Sequence, residues 1–154
     1  MAGILLIAHA PLASALEHCV EHVYGCEPSL ARAELRALDV EPGVDVEASL
    51  ERARTLLEEI RGDGGVLVLT DAFGATPGNI ATRLNDPGRV AVIAGVNLPM
   101  LLRAVCYRSG DLEQVVEKAL AGGQQGMLQV AASGVQNQTA TTSGNDLQRF
   151  QNQQ

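Results

Sequence analysis

Residues Gly3–His9 read GILLIAH. This apolar run does not alternate, so it suits a strand buried on both faces, as the strands of a parallel sheet are. Pro11 follows at a first helical position, where its missing N–H costs nothing. Leu12, Leu16, Cys19, Val20 and Val23 then recur at helical spacing, and Gly25 closes that helix. A buried strand leading straight into a helix is half of a βαβ unit.

Working outward, the same alternation repeats. Residues 33–40 read as a second strand. Asp45 starts a helix whose Val46, Leu50, Ala53, Leu57 and Ile60 form one apolar stripe, with Glu51, Arg54 and Glu58 spaced for pairing on the outer face. Val66–Thr70 is a third strand. Thr76-Pro77 opens a short helix to about residue 84. Residues 89–96 form a fourth strand. Pro99 opens a helix to about Tyr107, and Asp111 opens another to about Ala121, with Gly122, Gly123 and Gly126 marking its end. Residues 127–131 suit a short last strand. Such alternation predicts an α/β fold, a doubly wound, mostly parallel sheet with right-handed crossovers. Its commonest small order is 2-1-3-4-5, with a ligand crevice at the carboxyl ends of the first and third strands. The domain spans residues 1–131. Residues 132–154 are rich in Gln, Asn, Ser and Thr and read as a polar tail, in which Leu147 and Phe150 are the two residues suited to packing.

Composition narrows the function. The 154 residues are 46% apolar, enough for one core, yet the longest apolar runs are strand-sized, far from the roughly 20 residues of a membrane span. No basic cluster precedes the first apolar run, so it does not read as a signal peptide, and the cytoplasm is the expected location. Cys19, Cys26 and Cys106 are too few and scattered for a disulfide framework and read as reduced thiols. A net charge of −7 argues against a nucleic-acid partner. Lys118 is the only lysine, and no Gly-Lys pair exists, which excludes a P-loop nucleotide site.

The predicted topology selects the residues to consider for chemistry. His9 ends the first strand and Asp71 the third. These strands are neighbours, so the two side chains should meet at the crevice. Imidazole with a carboxylate is a nucleophile with its orienting group: the carboxylate takes Nδ1–H and leaves the Nε2 lone pair free. The loop from Asp71 through Phe73, Gly74 and Ala75 runs into the helix start at Thr76-Pro77, where free amides and the helix dipole favour a phosphate. Thr76 serves either as cap or as hydroxyl donor to that phosphate. Asp71 also suits a plain turn position. Phe73, one of two phenylalanines, suits either a partner-docking anchor or a lid over the crevice. His18 and His22, four apart with Cys19 between, have helical metal-ligand spacing but lack a third ligand, so a solvated helix face is the better reading.

Three segments carry a resemblance. LLIAHAP (residues 5–11), TDAFGATPGN (70–79) and AGVNLPML (94–101) resemble the signatures of the mannose-type IIA family of the bacterial sugar phosphotransferase system, in order and spacing, over residues 1–131. The resemblance implies a homodimer whose last strand is exchanged between subunits. It implies a histidine phosphorylated by phospho-HPr and dephosphorylated by an EIIB protein, with membrane EIIC and EIID components as further associates. Matched by residue, His9 is the phosphoacceptor and Asp71 its hydrogen-bonded partner. Thr76 with the Gly74 and Ala75 amides lines the phosphate site, and Asn97 and Pro99 lie on the neighbouring loop. Neither metal nor cofactor is needed, since phosphate arrives and leaves on histidine nitrogens. Ala10, Phe73 and Ala75 depart from the glycine, tryptophan and second glycine common in the family. These departures bear on substrate branch and partner more than on the chemistry. A rival reading is a regulatory phosphohistidine module that reports phosphate flux without sugar transport. A phosphoryl-donor subunit for dihydroxyacetone kinase fits the third segment less well. An aspartate-phosphorylated receiver domain is excluded, because Ala8-His9 stands where receivers carry an acidic pair.

Overall fold

A computed structural model of the chain describes residues 1–25 and 34–130. Its elements are β1 (Gly3–His9), α1 (Leu12–Val23), β2 (Leu35–Val40), α2 (Val46–Ile60), β3 (Val66–Thr70), α3 (Thr76–Thr82), β4 (Val90–Ala94), α4 (Leu98–Tyr107) and α5 (Leu112–Gln125). The strands form one parallel sheet in the order β2-β1-β3-β4. The α/β class and the order of the first four strands are therefore as expected.

The absence of alternation in GILLIAH has its cause in two apolar layers. Ile4, Leu6 and Ala8 face α1, α4 and α5, packing with Leu16, Val20, Leu101, Ala104 and Val115. Leu5 and Ile7 face α2 and α3, packing with Leu50, Leu57, Ile60 and Ile80. Ile4 through Ile7 are at most 1% exposed, so each contributes about 1.5–3 kcal/mol of burial free energy. Asp45 starts α2 as expected, its side chain accepting from the Glu47 and Ala48 amides. Arg54 pairs with Glu51, while Glu58 pairs with Arg61 instead.

Four details differ from the sequence reading. The buried stripe of α1 is Ala13, Leu16 and Val20, whereas Leu12, Cys19 and Val23 are exposed. This helix lies over the β1–β2 side of the sheet with α4 beside it, so only a narrow face is covered. Second, α3 stops at Thr82, where Arg83 and Leu84 turn back onto Ile80 and Ala81 with tighter bonds. Third, α5 does not end at Ala121. It runs through Gly122 and Gly123 to Gln125, and Gly126 is its C-cap. A Cβ on Gly122 would sit 2.7 Å from the Arg103 Cβ, and one on Gly123 2.7 Å from the Met100 Cε. These glycines let α5 approach α4 closely, so they serve packing inside the helix. Fourth, the described residues contain no fifth strand. Residues 127–130 have no regular secondary structure, and Met127, Leu128 and Val130 are 69%, 70% and 84% exposed. Cys26, Ala131 and the tail of residues 132–154, with Leu147 and Phe150, lie outside the described residues. Among the described residues no helix is long and apolar enough to cross a membrane.

Candidate active site at the carboxyl edge of the sheet

Ile7 stands opposite Thr70 in the β1–β3 pairing, so His9 and Asp71 leave the sheet side by side. The imidazole Nδ1 lies 2.7 Å from Asp71 Oδ2, and the His9 backbone N–H donates to the same oxygen at 2.9 Å. Asp71 Oδ1 accepts from the Ala72 amide at 2.8 Å. Both carboxylate oxygens are thus held, and the aspartate cannot rotate away from the ring. Burial raises the Asp71 pKa, but the His9 amide, the His9 ring and the Ala72 amide together outweigh it and hold the carboxyl below its ordinary value. A carboxylate fixed at Nδ1 selects the tautomer with the proton on that nitrogen. Nε2 has no hydrogen-bond partner among the described residues, and the His9 side chain is 54% exposed against 15% for Asp71. The free nitrogen is presented outward on a ring anchored from behind.

The loop after β3 is shaped by its glycines. Gly74 has φ +82°, a conformation glycine adopts without strain. Ala75, at φ −83°, is the N-cap of α3 and needs no glycine, which explains why alanine is tolerated there. Ala75 supplies no side-chain cap, so the first amides of α3 keep no such acceptor. Thr76 is the first helical residue and not the cap, and it is exposed. Gly78 is a position the sequence reading passed over: a Cβ there would meet the Ala72 carbonyl oxygen at 2.5 Å. The loop therefore rests directly on the first turn of α3. Phe73 is 89% exposed at the loop tip, where it borders a cavity that Thr70 and Ala94 also line.

The neighbouring β4–α4 connection is tied to the same edge. The Gly95 and Val96 amides donate to the Thr70 carbonyl at 2.9 and 3.0 Å. Asn97 caps α4 by accepting from the Met100 amide, and its Nδ2 donates to the Gly123 carbonyl. Its polar atoms are thus engaged in joining α4 to α5. Pro99 is exposed and packs where a Gly126 side chain would otherwise sit. His18 and His22 are exposed on α1, away from this edge. Sequence reasoning also missed Asp39 on β2, whose Oδ1 accepts from the Ala13 and Ser14 amides at 2.9 and 3.2 Å. A signal existed: Pro11 has no side chain able to cap the helix that follows it.

Both the sequence and the fold have relatives among known proteins. Residues 3–120 match the family model of the PTS system fructose IIA component. The PTS system mannose-specific EIIAB component of Escherichia coli (strain K12) is 33% identical over 102 residues, 64% of this chain and 32% of that protein. The chain thus corresponds to about a third of the length of that relative. The PTS system fructose-specific EIIA component of Bacillus subtilis (strain 168) is 29% identical over 109 residues, 70% of this chain and 71% of that protein. Among solved structures, the mannose/sorbose specific IIA subunit of Enterococcus faecalis superposes with a TM-score of 0.74 at 20% identity, covering 87% of this chain and 98% of that one, a likeness of fold. The PTS IIA protein associated with the fucose utilization operon of Streptococcus pneumoniae gives 0.67 at 26% identity, covering 84% and 96%. By its matched sequence and by the αβα frame that carries it, the chain belongs to the mannose/fructose family of phosphotransferase-system EIIA components.

Proposed function

We propose that the protein is a phosphoryl carrier that accepts phosphate from phospho-HPr on His9 Nε2 and passes it to an EIIB protein. The observation that carries this reading is the 2.7 Å contact between His9 Nδ1 and Asp71 Oδ2, with Nε2 left outward. Nε2 attacks phosphorus as the phosphorus–nitrogen bond of the donor histidine breaks, and the donor imidazole leaves with that electron pair. The His9 ring gains positive charge, which the Asp71 carboxylate steadies while the proton stays on Nδ1. The Gly74, Ala75 and Thr76 donors at the start of α3 receive the phosphoryl oxygens. Catalysis is then positioning plus electrostatic stabilisation, without metal or nucleotide. A carboxylate close to a phosphoryl group also repels it, so the group remains transferable. The exposed Phe73 beside the site provides a contact for the donor or acceptor protein, with the Asn97–Pro99 connection as the opposite rim. A donor such as phospho-HPr places the protein in the cytoplasm.

The working form in this reading is a homodimer. β4 pairs with β3 on one side, and no described strand lies on its other side. A cavity of about 500 Å³ lined by Ala91, Leu112 and Val116 flanks one face of β4, and one of about 270 Å³ lined by Val92, Ala94 and Thr82 flanks the other. Residues 127–130 of a second copy would supply a strand for that edge, with apolar side chains alternating between the two cavities.

The test is transfer in two steps. Phosphorylated HPr is mixed with the protein, and EIIB proteins of the mannose and fructose systems are then added. The reading predicts label first on this chain and then on an EIIB protein. No labelling by phospho-HPr would contradict it.

A further inference from the structure

The geometry points to Asp39 as a positioning residue for His9: its carboxylate caps α1 from a different strand and so fixes the short turn on which the histidine stands. This inference rests on the reading of His9 as the phosphoacceptor. Only Ala10 and Pro11 separate His9 from the first residue of α1. Any movement of that helix start therefore reaches the imidazole.

The helix start cannot hold itself. Its N-cap is Pro11, at φ −102° and ψ 31°, with no side-chain cap. Ordinary N-caps are Ser, Thr, Asp or Asn, which accept from the second and third amides of the helix. Here those amides belong to Ala13 and Ser14, and both go to Asp39 Oδ1 at 2.9 and 3.2 Å. Asp39 lies opposite Ala8 in the β1–β2 pairing, and the next residue, Val40, accepts from the Ala10 amide at 3.1 Å. The turn is thus tied to β2 at three amides, while His9 itself is tied to Asp71, just past β3, by its amide and its ring. The imidazole sits between these two sets of tethers. Releasing the β2 set leaves Asp71 to hold a ring whose backbone can drift, and drift of about 1 Å suffices to slow a positioned reaction strongly.

A cap serving stability alone makes a different prediction, so the test compares Asp39→Ala with Asp39→Asn. The asparagine keeps an oxygen acceptor for both amides. Asp39→Asn should be phosphorylated by phospho-HPr within about two-fold of wild type, whereas Asp39→Ala should lose about ten-fold in kcat with KM unchanged. Adding Asp71→Asn to Asp39→Ala should cost less than adding it to wild type, since both act through one ring. On the unphosphorylated proteins, 15N shifts of the His9 ring should show the Nδ1–H tautomer weakened in Asp39→Ala and kept in Asp39→Asn. If Asp39→Ala does not fold, Asp39→Ser, too short to reach the amides, takes its place. A folded Asp39→Ala with wild-type kcat and an unchanged ring signal, additive losses with Asp71→Asn, or an Asp39→Asn as impaired as Asp39→Ala would each overturn the inference. Failure of wild type to take phosphate from phospho-HPr would overturn the carrier reading instead, and the ring signal would still judge the role of Asp39.

Discussion

At the scale of single residues, the fold brings a histidine and an aspartate that are 62 positions apart in sequence to 2.7 Å apart in space. His9→Gln should abolish phosphate acceptance while leaving the circular dichroism spectrum intact, because the side chain is more than half exposed and supports no core. Asp71→Asn should slow acceptance by roughly 10²-fold or more, by the logic of wrong-tautomer variants elsewhere. It should also alter acid stability. The folded-state pKa of Asp71 is depressed, so its contribution is present above the ordinary carboxylate pKa of about 4 and is lost as pH falls through the lower folded value. Denaturation measured from neutral pH downward should therefore show a stability loss in wild type that is smaller in Asp71→Asn. Both residues were legible in the sequence, because a doubly wound sheet brings the ends of its first and third strands together. Asp39 was not, because its capping partners lie 25 and 26 positions away on a helix that carries its own periodic signal.

At the scale of elements, close approaches decide what the sequence could not. Gly78 carries no signal in the sequence and Gly122 reads there as a helix end, and only the packed structure shows a loop carbonyl against the first and a neighbouring helix against the second. Gly78→Ala should push the Ala72 carbonyl away, destabilise the fold by about 1–3 kcal/mol in thermal unfolding and slow phosphate acceptance, whereas Ala75→Gly should leave acceptance almost unchanged. Where α1 meets α4, the Tyr24 hydroxyl lies 2.7 Å from the Cys106 sulfur, and burial first, then this contact, pushes the phenol up to about 12 from 10.0. A raised pKa in an acid means that the native state favours the protonated form. Its stabilisation is complete below pH 10 and is lost as pH rises towards 12. Alkaline unfolding of Tyr24→Phe should lack that loss, and ultraviolet titration of wild type against Tyr24→Phe should show the late-ionising phenol gone in the variant. The sequence showed α1 as a helix but assigned it too wide an apolar stripe, since Leu12 and Val23 fit the period and yet stay exposed. Periodicity reports the possible face, and the neighbours decide how much of it is used.

At the scale of the whole molecule, strand–helix alternation gave the doubly wound class, and the commonest small order of that class matches the four strands observed. The fate of residues 127–130 was not legible in this way: their apolar residues suit a last strand, yet this segment has no regular secondary structure and Met127, Leu128 and Val130 lie exposed. Sedimentation should give a dimer at micromolar concentration, and truncation before Met127 should shift it to monomer while His9 and Asp71 stay in contact. A wild-type monomer under those conditions would remove the strand-exchange proposal without touching the site. The function proposed for this site turns on which atom carries phosphate. It is tested most directly by phosphorylating the 15N-histidine-labelled protein with phospho-HPr and reading the phosphorus–nitrogen coupling. A single acid-labile, alkali-stable adduct on Nε2 of His9 is expected. An adduct on Nδ1, a label on His18 or His22, or phosphate taken up by His9→Gln would contradict it.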